Sequence, residues 1–76
     1  MKKIPSLSSK KVVKALLRAG FYIHSQRGSH IHLRHYQKLN LRVTVPYHTK
    51  FDLPPSIVSR ILKQAELSRE EFLKLL

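Results

Sequence analysis

The chain has 76 residues, a formal charge of +11 and no cysteine. A chain this short buries only about 60 to 65% of the surface it exposes when unfolded, which argues against a deep, enclosed active site. The missing cysteines exclude a disulfide framework and thiolate chemistry and fit a reducing compartment. The apolar clusters around Val12-Val13 and Ala15-Leu16-Leu17 are broken by Lys14 and Arg18, and no apolar stretch follows Lys2-Lys3. The expectation is therefore one cytoplasmic domain over residues 1–76, with no membrane partner.

The charge is unevenly spread. All four acids, Asp52, Glu66, Glu70 and Glu71, follow residue 51, where Arg60, Lys63, Arg69 and Lys74 balance them. The eleven Lys and Arg residues before that point have no carboxylate among them. A surface built only for solubility would intersperse both signs. This distribution points to a cationic footprint, with nucleic acid favoured over an anionic membrane.

Ser8 or Ser9 can cap a first helix whose stripe is Val12, Val13, Leu16, Leu17 and Ala19, leaving Lys10, Lys11, Lys14 and Arg18 largely outside it. Gly20 supplies the left-handed residue that stops it. Phe21 to Gln26 reads as a strand with Phe21 and Ile23 inward, and Arg27-Gly28-Ser29 as a turn. The next strand turns Ile31 and Leu33 to the core and His30, His32 and Arg34 to the other face. A third strand turns Leu41, Val43 and Val45 inward and Arg42 and Thr44 outward, ending at Pro46. Asp52 to Pro55 signals a helix start, with Ile57, Val58, Ile61, Leu62 and Ala65 as the stripe of the second helix. Ser68-Arg69-Glu70-Glu71 fits a capping box opening a last short helix that carries Phe72, Leu75 and Leu76. The fold class is α+β, in the order α-β-β-β-α with a short C-terminal helix. A three-stranded antiparallel sheet has its helices on one face and His30, His32, Arg34 and Arg42 on the other.

Gly28-Ser29-His30 is the leading candidate site. A strand histidine after a hairpin glycine is more often a surface residue than a catalyst, but the acid-free setting changes the balance. With no carboxylate near it in sequence, His30 is read as a base able to accept a proton from a polyanionic substrate. RNA carries its own nucleophile, the ribose 2′-hydroxyl. Its cleavage needs a base for that proton, cations for the phosphorane charge and a proton for the leaving 5′-oxygen. His30 and Arg27 fit the first two needs; His32, His48 or a lysine fits the third. His30, His32 and His35 also invite a metal reading, which is disfavoured because no acid is near in sequence to complete a ligand set. Tyr47 fits either stacking on a base or packing on the sheet.

These residues form an ordered set. It comprises Val12-Val13-Lys14-Ala15-Leu16, Ala19-Gly20-Phe21, Arg27-Gly28-Ser29-His30, Val43-Thr44-Val45-Pro46-Tyr47-His48, Ile61-Leu62-Lys63-Gln64-Ala65 and Leu67-Ser68-Arg69-Glu70-Glu71-Phe72. In this the chain resembles, over nearly its whole length, the HicA toxins of HicAB toxin-antitoxin systems, small mRNA interferases with a fold like a double-stranded RNA-binding domain. The resemblance implies a cofactor-free endoribonuclease that cleaves mRNA, with the histidine of the Gly-Ser-His motif, here His30, as catalytic residue. It also implies a cognate HicB-type antitoxin. On this reading Arg27, Gly28, Ser29, His32, Lys10, Lys11 and Lys14 contact RNA, and His48 is the candidate second proton-transfer group. The alternatives are a non-catalytic RNA- or DNA-binding module and a basic structural component of a ribonucleoprotein. The chain departs from the family pattern in three places: Glu66 stands where glycine is usual, the 36–40 hairpin lacks Asp-Gly, and the 49–55 loop lacks glycine.

Overall fold

A computed structural model describes residues 5–76, so Lys2-Lys3 and the rest of the first four residues lie outside it. Ser8 opens the first helix, α1 (Ser9–Arg18), its hydroxyl accepting the Lys11 N–H at 3.2 Å. The helix stops at Ala19, and Gly20 follows at φ +99°. Val12, Ala15 and Leu16 are fully buried, whereas Leu17, expected in the stripe, is 43% exposed. The buried arc is thus rotated toward Ala15.

Three antiparallel strands follow, β2 (Phe21–Arg27), β3 (His30–His35) and β4 (Arg42–Pro46), paired in the order β2-β3-β4. Ile31, Leu33, Val43 and Val45 are buried beneath the helices, as their alternation requires. Ile23 is a correction. It pairs with buried Leu33 but remains 48% exposed, because β2 is an edge strand that helical cover does not fully reach. The other edge is shielded, since the Thr44 N–H donates to the Gln64 side-chain oxygen at 3.1 Å.

A two-stranded ladder with no counterpart in the sequence pattern joins β1 (Leu7–Ser8) to β5 (Asp52–Leu53), tying the entry of α1 to that of the second helix. Pro55 sits at the first position of α2 (Pro55–Ala65), where a missing N–H costs nothing. Val58, Ile61 and Leu62 face the sheet. Glu66 ends α2 in the left-handed region, φ 56° and ψ 39°, while the Leu67 N–H reaches back to Leu62 O at 3.0 Å. The helix therefore closes as it would with glycine, at a conformational cost. The last helix, α3 (Arg69–Leu75), has both halves of the capping box: Ser68 Oγ accepts the Glu71 N–H, and Glu71 Oε1 accepts the Ser68 N–H. Fully buried Phe72 docks it onto the core. Helix, three-stranded antiparallel sheet and C-terminal helices make the α+β layout expected.

Candidate active site at the β2-β3 hairpin

A bulge decides which residues share a face. Phe21, Tyr22 and Ile23 pair with His35, Arg34 and Leu33, but the register then shifts, and Ser25, Gln26 and Arg27 pair with His32, Ile31 and His30. His24 is the extra residue. Strict alternation from inward Phe21 and Ile23 would turn Ser25 and Arg27 toward the helices as well. One added residue reverses the parity, so Arg27 stands directly across from His30 on the open face. Directly opposed residues have Cβ atoms roughly 4.5 to 5.5 Å apart.

The turn is the two-residue Gly28-Ser29. Gly28 has φ +56° and Ser29 does not have positive φ, the φ combination of a type II′ hairpin. A Cβ at Gly28 would meet no atom within 4 Å, so glycine is favoured there by conformation and not by crowding. Arg27, Gly28, Ser29 and His30 are all exposed. His32 is half-buried, its Nδ1 3.2 Å from Thr44 Oγ1.

The hairpin is anchored through the loop leaving β4. His30 pairs with Pro46, and the Tyr47 N–H donates to Ser29 O. Ser9, only 1% exposed, holds that loop to α1: its hydroxyl donates to Pro46 O at 2.8 Å and accepts the His48 N–H at 3.0 Å. The sequence left Ser8 and Ser9 as alternative caps. Ser8 caps, and Ser9 is the pin. A serine inside the apolar 9-12-13-16 stripe was the available signal. His48 is exposed, two residues beyond the strand partner of His30.

The lysines are distributed differently. Lys10 follows Ser9 at the end of α1 that abuts the β4 loop. Lys11 and Lys14 instead line a groove on the helical layer with Leu7, Arg18 and Leu76. Strand register brings Arg27, His30 and His32 together; Lys11 and Lys14 belong to another surface.

His35 is not part of the site. It is buried beneath Phe21, ring edge to face at 4.9 Å. Its Nδ1 accepts the Gln37 and Lys38 N–H groups, both at 3.0 Å, and its Nε2 lies 3.0 Å from Ala19 O. A carbonyl only accepts and amides only donate, so the ring proton is on Nε2. These bonds order the 36–40 turn that lacks Asp-Gly. Among the described residues, no three His, Cys, Asp or Glu side chains gather closely enough to hold a metal ion. No helix among them is long and apolar enough to cross a membrane.

No curated relative matches the chain significantly. The family model for the HicA toxin of bacterial toxin-antitoxin systems matches residues 9–67, a span holding α1, the whole sheet, the hairpin and α2.

Proposed function

The chain belongs to the HicA toxin family and is a toxin of a toxin-antitoxin system, which implies a cognate antitoxin; from this premise we propose that it is an endoribonuclease cutting mRNA through His30. The observation that carries the reading is the Arg27 and His30 pair, on strands that contain no Asp or Glu. His30 takes the proton of the 2′-hydroxyl, the 2′-oxygen bonds to the adjacent phosphorus, and the P–O5′ bond breaks as O5′ is protonated. The products are a 2′,3′-cyclic phosphate, which water opens to a 3′-phosphate, and a 5′-hydroxyl. The Arg27 guanidinium offsets charge developing on the non-bridging oxygens, and its fork suits a phosphate. Gly28 and Ser29 bring backbone and hydroxyl close to the same phosphate. His32 or His48 supplies the proton to O5′. RNA provides the nucleophile, so these steps use no metal ion or cofactor. Cutting mRNA arrests translation, and a HicB-type antitoxin restrains the enzyme by covering the hairpin.

The test is His30→Ala. Because His30 is exposed, the variant should fold, and cleavage should fall by about two to four orders of magnitude. Wild-type cleavage should persist in EDTA and fail on RNA carrying a 2′-deoxy sugar at the scissile position. Full activity in folded His30→Ala removes the histidine from the mechanism. Wild-type protein that binds RNA without cutting it favours a non-catalytic module, and abolition by chelator with rescue by zinc favours a metal nuclease.

A further inference from the structure

We propose that the open sheet face carries a second RNA subsite, in which Tyr22 and Tyr36 stack an unpaired base while Arg34 and Arg42 hold the adjoining phosphates. Its ligand rests on the RNA-cleavage reading of the hairpin.

Arg34 and Arg42 are directly paired across β3 and β4. Like charges in that position repel, and strands β2 to β4 supply no carboxylate to relieve them. An anion from outside does so. Beside them, Tyr22 pairs with Arg34, and the Tyr36 ring lies over Tyr22 with centroids 4.6 Å apart and planes inclined by 34°. Tyr36 is 70% exposed, so a large aromatic ring stands in water on the sheet face that carries Arg34 and Arg42. That combination matches a nucleotide, whose base stacks and whose phosphate pairs. An acidic peptide would satisfy the arginines and leave the exposed ring unused.

The His24 bulge makes the surface continuous. Tyr22 lies on the open face before the bulge and Arg27 after it, although their odd sequence separation would set them on opposite faces of a regular strand. From the hairpin the face reads Arg27 and His30, then His32 and Thr44, then Tyr22, Arg34 and Arg42, with Tyr36 beyond. Arg34 is about 13 Å from His30 along β3, and Tyr36, the residue after β3, lies farther still. The platform therefore engages an unpaired strand running several nucleotides away from the cleavage point.

The experiment measures binding of an end-labelled single-stranded RNA dodecamer with 2′-O-methyl sugars, which the 2′-hydroxyl route cannot cut, and of a trimer of the same chemistry. Tyr36→Ala should weaken dodecamer binding by about 5- to 150-fold, the range for loss of one stacked base, and Tyr36→Phe should stay within about twofold. Joint replacement Arg34→Gln and Arg42→Gln should flatten the salt dependence by up to about 0.7 log units for each phosphate no longer neutralised. Trimer cleavage, made with natural sugars, should not respond to Tyr36→Ala. If Tyr36→Ala does not fold, Tyr36→Leu keeps apolar cover over Tyr22 without the aromatic face and should show the same loss. Dodecamer affinity and salt slope unchanged in the Tyr36 and arginine variants would overturn the platform and leave the hairpin reading standing. If the variants weaken antitoxin binding alone, the face belongs to that protein. Wild-type protein that binds neither oligomer removes the RNA reading of the hairpin together with the platform.

Discussion

Ser9 gives one hydroxyl two obligations, donating to Pro46 O and accepting from the His48 N–H, and it meets both in a nearly sealed site. Ser9→Ala leaves a carbonyl and an amide without their partner. The expected cost is about 1 to 3 kcal/mol, read as a lower urea midpoint at unchanged slope. The same hydroxyl steadies the loop that holds Ser29 and pairs with His30, so turnover per folded molecule should fall as well. A variant that loses stability yet keeps the wild-type turnover number would make Ser9 a fold residue alone. Gly20 is constrained at the opposite end of β3: a Cβ there would lie 2.8 Å from His35 Nε2, at a φ that side chains rarely adopt. Such roles were only partly legible. Gly28-Ser29-His30 stood out because a glycine turn and an acid-free alternating strand are both sequence patterns. Ser9 and His35 were not resolved, because their partners are backbone atoms at distant positions or in a turn whose geometry the residue types do not reveal.

At the scale of elements, the helices and the three strands of the sheet followed from period and caps, while β1, β5 and the bulge did not. Two-residue strands have no period to read, and His24 carries no mark of being the extra residue. Its consequence is large, because it lets Phe21 face the core while Arg27, across the two-residue turn from His30, faces outward. Deleting His24 removes the one unpaired residue, so regular pairing should keep Ser25 and Arg27 opposite His32 and His30. The expected outcome is a folded protein that still cleaves, whereas Arg27→Ala should reduce cleavage about a hundredfold or more, comparable to removing one charge that stabilises the transition state. Unimpaired cleavage in folded Arg27→Ala would show that Arg27 is dispensable. The start of α3 offers a pH test. The Ser68 backbone N–H, aided by its hydroxyl, holds the Glu71 carboxyl below its ordinary value of 4.5. A carboxylate depressed in the folded state stabilises the fold above its unfolded value and loses that contribution as pH falls through the folded one. The stability gap between wild type and Glu71→Ala should therefore be full near neutrality and narrow below about pH 4.5. A gap that stays constant down to acid-induced unfolding would mean the charged state of Glu71 contributes nothing.

Across the whole molecule, sequence asymmetry becomes spatial asymmetry. Asp52 lies in β5, Glu66 ends α2, and Glu70 and Glu71 open α3, so none of the acids falls on the three-stranded sheet. The charge count made a polyanion partner legible, but only the register reveals that sheet face and hairpin form one surface while Lys11 and Lys14 line another. This division bears on the antitoxin. A protein that neutralises the toxin by covering the hairpin competes with RNA for Arg27, His30 and the basic sheet face, and carboxylates presented there would both steer and mimic the substrate. Its association rate should fall steeply with added salt, while its dissociation rate, set by close packing near the hairpin, should change little. Near-equimolar antitoxin should abolish cleavage and slow amide hydrogen exchange over residues 28–34. Charge reversal at Lys11 and Lys14 should spare that protection, because those side chains occupy the separate groove with Leu7 and Leu76. An antitoxin that binds tightly but leaves cleavage and exchange at the hairpin unchanged would rule out occlusion. Restraint would then have to act from the helical layer.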